Sequence, residues 1–278
     1  MGALDRVRDW PVDEAAVGAA DADAILETVG PSGQVFPWAS VTKLLTAYTV
    51  LVVVDQGTIG LDDRAGPEGA TVAHLLAHTS GLPLRGEDPV ARPGERRIYS
   101  SAGFEVLGRV LGDRTGMSFG ELVADNVLEP LQMDATVVAG STAHGARGPL
   151  TDLLALGREF LTPTLVGRDL FARATSVAFP GRSGVLPGFG RQDPNDWGLG
   201  FERRDDKHPH WTGTSNSSAT FGHFGRSGSF LWVDPEAGLA CACLVDREFG
   251  PWAVDAWPAL SDAVVGEYGA AGRRSAAG

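Results

Sequence analysis

Ser40 and Lys43 stand three residues apart in Phe36-Pro37-Trp38-Ala39-Ser40-Val41-Thr42-Lys43, ahead of the apolar run Leu44 to Val54. Residues at i and i+3 share one face of a helix, so a neutral lysine amine there can take the serine proton and make a nucleophile. The bland alternative is an N-cap, the Ser40 hydroxyl accepting a hydrogen bond from a free N–H of the first turn. Lys43 fits that alternative poorly. A capping box wants Glu or Gln three residues on, and a cation in the first turn opposes the helix dipole at about 0.3–1 kcal/mol. The chain has only two lysines, Lys43 and Lys207, against many arginines. Arginine stays protonated, whereas a buried lysine can be driven toward neutrality and act as a base. Ser-x-x-Lys arises by chance about once in a chain of this length, so further parts of a site are required.

The elements that must position these residues follow from pattern. Pro37 biases Phe36 toward extended backbone, and the residues after Ala39 lack Gly and Pro and are apolar on almost every face, as in a buried helix. Before them, Ala15 to Ala20 and Ala24 to Val29 read as a hairpin closed by Gly30-Pro31-Ser32-Gly33. After Gly57 comes a surface loop, then an element from Thr71 to Thr79. His74 and His78 lie four apart in it, without a Glu in zincin position or a third ligand, so they read as structural histidines and no metal is implied. Helical patterns follow after Tyr99-Ser100-Ser101 (Phe104, Leu107, Gly108 and Leu111 on one face), at Ser118 to Leu128 and at Thr151 to Leu161. Locally, Tyr99 reads as a hydrophobic staple on Phe104 with Ser100 as N-cap. This middle third reads as mostly helical. Short strands are expected at Gly198 to Arg203, Ala219 to Phe224, Ser229 to Val233 and Leu239 to Val245, with a hairpin loop at Asp234 to Gly238, then a helix from Trp252 to Tyr268 and a loose tail from Gly269 onward.

Strands at both ends with helices between predict an α+β fold. The expected domains are a discontinuous antiparallel sheet domain (1–60 and 196–278) and an inserted, mainly helical subdomain (61–195), with the site in the cleft between them. At 278 residues and a net charge of -12, with pI near 4.9, the chain has no basic surplus for nucleic acid or an anionic membrane. The first ten residues hold no apolar core of signal-peptide length and no run reaches ~20 apolar residues, so the expectation is a soluble, cytoplasmic protein. Cys241 and Cys243 alternate with Ala242 on one strand and are expected as reduced, buried thiols.

Several stretches together resemble the serine β-lactamase and penicillin-binding protein superfamily, nearest its class C and D,D-peptidase-like esterase branch. They are Ala39-Ser40-Val41-Thr42-Lys43, His74-Leu75-Leu76-Ala77-His78-Thr79-Ser80-Gly81-Leu82, Pro93-Gly94-Glu95 leading to Tyr99-Ser100-Ser101, Trp197-Gly198-Leu199-Gly200, and Gly222-His223-Phe224-Gly225. The resemblance implies Ser40 as the acylated nucleophile, Lys43 and Tyr99 as the pair that manages its proton, and His223-Phe224-Gly225 on the strand lining the cleft. It also implies an oxyanion hole from the backbone N–H groups of Ser40 and Arg226. A protonated Lys43 would lower the Tyr99 pKa, leaving either residue as base. Two departures stand out. Ser101 replaces the usual Asn, whose amide binds the substrate amide, and His223 replaces the Lys common in β-lactamases, weakening carboxylate recognition. Both favour esters. The expected function is a serine hydrolase acting on a small-molecule ester through an acyl-enzyme on Ser40, without cofactor. The alternatives are a β-lactamase or D,D-carboxypeptidase acting on an amide, or a non-catalytic binding module of the same fold.

Overall fold

The computed structural model describes residues 2–269. The tail expected from Gly269 onward, with Arg273-Arg274, lies outside the described residues except for Gly269 itself. Strands β1 (Ala15–Ala20) and β2 (Ile25–Val29) form the expected hairpin, and the short β3 (Phe36–Pro37) leads to helix α1 (Thr42–Asp55). Helices α2 (Val72–Leu76), α3 (Ser101–Thr115) and α4 (Phe119–Val123) follow, then strands β4 (Val137–Val138) and β5 (Ala146–Gly148) and helices α5 (Leu150–Leu161) and α6 (Arg168–Thr175). A hairpin of β6 (Gly184–Leu186) and β7 (Gly190–Gln192) precedes β8 (Glu202–Arg203), β9 (Phe221–Phe224), β10 (Phe230–Asp234), β11 (Leu239–Val245) and helix α7 (Pro251–Tyr268).

The main sheet runs β2-β1-β11-β10-β9-β8 and is antiparallel throughout. Its two ends of the chain meet where β1 pairs with β11, from Ala15 opposite Val245 to Ala20 opposite Ala240. Alternation along β11 feeds two cores: Ala240, Ala242 and Leu244 join the core shared with α1, α3 and α5, while Leu239, Cys241, Cys243 and Val245 join the one under α7. Both cysteines are buried and free there. Gly18 and Gly157 let α5 sit close on the sheet: a Cβ on Gly157 would lie 2.9 Å from the Ala240 Cβ, and one on Gly18 2.7 Å from Leu154 Cδ1. We keep the two-part division at 1–60 with 196–278 and 61–195 as a proposal. Helix α5, inside 61–195, returns to pack on β1, β10 and β11.

The middle third holds more strand than its helical reading expects. Strands β4 and β5 form a small sheet with β3 from the N-terminal part of the chain, and β6 and β7 pair beside the cleft. Strands of two or three residues offer no alternation to read. Helix α6, eight residues behind a Thr-Pro-Thr-Leu-Val-Gly lead, was equally faint. β8 is shorter than the expected Gly198 to Arg203. Gly200, at φ +91, breaks the strand, and a Cβ there would lie 2.2 Å from that of Ala47 on α1.

Candidate active site

Helix α1 is buried from Thr42 to Val53, so its N-terminal turn points out of a packed core at a fixed angle. Ala39 takes a left-handed backbone, φ +46, and a 3₁₀ turn over Ala39–Val41 presents Ser40 ahead of the helix. The Ser40 side chain makes no cap hydrogen bond, which removes the N-cap alternative. Thr42 pins the turn instead, donating from Oγ1 to the Ala39 carbonyl at 2.6 Å and accepting from the Ala146 N–H at 3.0 Å. Gly225, just past β9, lies against the same turn. A Cβ there would stand 2.5 Å from the Trp38 carbonyl oxygen, 2.6 Å from Ser229 Oγ and 3.1 Å from the Ala39 Cβ. At Gly225 two backbones approach too closely for any side chain.

Lys43 is fully buried, with its Nζ 3.3 Å from Ser40 Oγ, 3.3 Å from Ser101 Oγ and 3.0 Å from the Ala143 carbonyl oxygen. All three partners are neutral. Burial therefore pulls the Lys43 pKa down to about 7, with only the Glu105 carboxylate acting in the opposite direction. The ammonium also lies 5.0 Å from the Tyr99 ring centroid and 5.5 Å from that of Phe104.

The Tyr99 hydroxyl lies 3.5 Å from His223 Nε2, a long contact, and faces the same cavity as Ser40, whose hydroxyl acts on it to lower the phenol pKa. His223 donates from Nδ1 to its neighbour Phe224 carbonyl at 2.7 Å, so its Nε2 is the acceptor that faces Tyr99. Burial first, then the Lys43 charge, lowers the His223 pKa to about 3, so the ring is neutral. The expected depression of the Tyr99 pKa is not found. Burial raises it well above the ordinary phenol value, and the Ser40 hydroxyl offsets only part of that. Burial without enough donors to compensate penalises a phenolate in this apolar setting, so the neutral phenol is the resting form. The staple reading is corrected too: Ser100 is the N-cap, accepting from the Gly103 N–H at 2.9 Å, but the ring of His78 packs on both Tyr99 and Phe104.

Ser40, Tyr99, Ser101, His223 and Arg226 all line one cavity of about 960 Å³, with Gly225 beneath it and Lys43 behind Ser40. The Arg226 carbonyl accepts from the Phe249 N–H at 2.8 Å, and the N–H of Gly225 donates to Ser229, which fixes the turn that carries the Arg226 N–H. Sequence reasoning missed Glu105. One helical turn after Ser101, it accepts from the Thr142 N–H at 3.3 Å, from Thr142 Oγ1 at 3.1 Å and from Ser141 Oγ, and so holds the loop that offers the Ala143 carbonyl to Lys43. Its i+4 spacing from Ser101 was the available signal; the loop partner was not. Among the described residues no group of His, Cys, Asp and Glu could hold a metal ion, and no helix is long and apolar enough to cross a membrane.

A family model for Beta-lactamase matches residues 1–264. The crystal structure of a beta-lactamase from Mycobacterium bovis has a TM-score of 0.95 at 49% sequence identity, covering 96% of this chain and 99% of that one. Penicillin-binding protein 4 of Amycolatopsis lactamdurans is 27% identical over 283 residues, 76% of this chain and 72% of that protein. The D-alanyl-D-alanine-carboxypeptidase/endopeptidase AmpH of Escherichia coli (strain K12) is 28% identical over 140 residues, so the match spans 37% of this chain and only 36% of that relative.

Proposed function

Because this chain belongs to the beta-lactamase family of serine hydrolases, we propose that it is an esterase that acylates Ser40 with a small, uncharged ester. The observation that carries the reading is the buried Lys43 amine 3.3 Å from Ser40 Oγ with only neutral partners. Held near pKa 7, it is substantially neutral at ordinary pH.

In the proposed reaction neutral Lys43 takes the Ser40 proton as Oγ bonds to the ester carbon, and the carbonyl electron pair moves to oxygen between the Ser40 and Arg226 N–H groups. Collapse of the tetrahedral adduct expels the alcohol, whose oxygen recovers the proton from the Lys43 ammonium through the neutral Tyr99 hydroxyl. Water then attacks the acyl-enzyme and gives its proton to the same amine, and as the bond from the acyl carbon to Oγ breaks the Lys43 ammonium returns that proton to Ser40 Oγ and the acid leaves.

Preference for esters is supported by what the cavity lacks. Ser101 Oγ is occupied by Lys43 and has no amide to match a substrate amide, His223 is neutral, and the Arg226 guanidinium on the lining is already paired with Glu248 at 3.2 Å, so none of the three is a free, fixed cation for a β-lactam carboxylate. A β-lactamase or D,D-carboxypeptidase is the second reading, favoured by the 49% identity to the Mycobacterium bovis beta-lactamase. An ester library with intact-mass trapping of the acyl-enzyme, run beside a chromogenic cephalosporin, tests both. Ester turnover lost in Ser40→Ala supports the proposal; faster cephalosporin turnover supports the second reading. A folded protein unlabelled by fluorophosphonate would return it to a non-catalytic binding module.

A further inference from the structure

His78 has a left-handed backbone, φ +57, which is uncommon outside glycine. Two hydrogen bonds converge on it from one neighbouring segment. The Ile98 N–H donates to the His78 carbonyl at 2.8 Å, and the Ser100 N–H donates to its Nδ1 at 3.1 Å. Residues 98 and 100 flank Tyr99, so a single histidine grips the chain on both sides of the phenol. Its ring also lies 4.8 Å from the Tyr99 ring, with Phe104 at 5.2 Å and Trp197 edge-on at 4.7 Å.

Because Nδ1 accepts, the ring proton sits on Nε2, which is buried without a hydrogen-bond partner among the described residues. The ring is therefore held through Nδ1 and its faces, with Nε2 taking no part. Burial first, then the charges of Lys43 and Arg97, holds the imidazole well below its ordinary pKa, so the Nδ1 lone pair stays available.

We propose that His78 is a positioning residue for Tyr99, its carbonyl, Nδ1 and ring face together fixing the phenol hydroxyl between Ser40 and His223. The proposal rests on the reading of Tyr99 as the proton-sharing phenol. Misplacing such a group by about 1 Å costs on the order of 10²-fold in rate.

The test measures ester hydrolysis by the full chain with His78→Ala and His78→Asn, each with and without Tyr99→Phe. The Asn carbonyl reaches the position of Nδ1, and Asn tolerates the left-handed backbone. His78→Ala is expected to lower kcat about 10²-fold with KM changed less than about threefold, and His78→Asn to recover at least about tenfold of that. In the Tyr99→Phe background, His78→Ala should cost less than about threefold more, because the two residues act as a unit. Wild-type kcat in His78→Ala, an Asn variant no better than Ala, or an undiminished loss in the Tyr99→Phe background would each overturn the proposal. If His78→Ala does not fold, His78→Gln keeps volume while misplacing the acceptor and is judged by the same coupling. Wild-type activity in Tyr99→Phe with none in Ser40→Ala sinks this inference and leaves the acyl-serine reading standing. Activity in Ser40→Ala sinks both.

Discussion

Both lysines of this chain are buried, and they meet opposite fates. Lys43 faces two hydroxyls and a carbonyl. Lys207 binds the buried Glu202 carboxylate and the Asp196 and Arg203 carbonyls, and Glu202 in turn accepts from His210 Nε2 and Trp211 Nε1, each at 2.8 Å. Burial pushes the Glu202 carboxyl upward, but the Lys207 and His210 charges and their hydrogen bonds outweigh it and hold the pKa at about 2. The contrast teaches that burial alone does not make a base. Burial lowers the pKa of both lysines, but at Lys207 the charge and hydrogen bond of Glu202 oppose it and favour the ammonium, while the lack of any hydrogen-bonded carboxylate leaves Lys43 free to surrender its proton.

Exchanging each lysine for methionine breaks the comparison most directly. Lys43→Met should lower kcat/KM for an ester by about 10³-fold or more, the scale of lost general-base catalysis, with no loss of thermal stability. Initial rates and thermal melts check it, and a rate within tenfold of wild type would refute the assigned role. Lys207→Met should do the reverse. Leaving Glu202 buried and unpaired, it should lower the unfolding free energy by about 3–5 kcal/mol in a urea titration while kcat stays within a few-fold. Restoring stability with Glu202→Leu in the same chain would show that the orphaned charge was the cause.

This pair also shows what the sequence could disclose. The helix carrying Lys43 was legible because Leu44 to Val54 is apolar on all faces, and β11 because seven residues suffice to show their burial. Ser40, Lys43, Tyr99, Ser101, His223, Gly225 and Arg226 were named from motifs and the resemblance they carry; five of them line one cavity, and Lys43 and Gly225 lie against its Ser40 turn. Glu202 and Lys207 went unread, although they are five apart, because Glu202 sits on a two-residue strand and its other partners come from a loop. The Tyr99 pKa was misjudged for a related reason: motif spacing gives proximity to Lys43 but says nothing of the burial that decides which form of either residue prevails.

A smaller effect sharpens the neutral side of the comparison. Ser101→Asn keeps an oxygen for Lys43 and adds an amide N–H to the cavity, so the base survives while a donor for substrate amides appears. Turnover of a chromogenic cephalosporin should rise about tenfold, the value of one well-placed hydrogen bond, with ester turnover changed only a few-fold. Unchanged cephalosporin turnover would mean that Ser101 does not set the preference.

The two lysine sites should also titrate in separate windows. Lys43 acts as a neutral amine, so kcat/KM should climb as pH rises through about 7. That is about fivefold from pH 6 to 7 and less than twofold from pH 7 to 8. Its folded pKa lies below the unfolded value of 10.5, so the unfolded chain binds more protons between the two, and this group makes stability rise with pH from about 7 upward. Glu202 acts with the same sign in a lower window. Its folded pKa of about 2 lies below the unfolded 4.5, so its contribution is whole above about pH 4.5 and is lost as pH falls toward 2. Activity measured at pH 5.5 should therefore be low in a protein whose Glu202–Lys207 pair is intact, and it should return within mixing time on a jump to pH 8. Slow recovery on the timescale of refolding would mean that the acid limb reports unfolding and that Lys43 is not the titrating base.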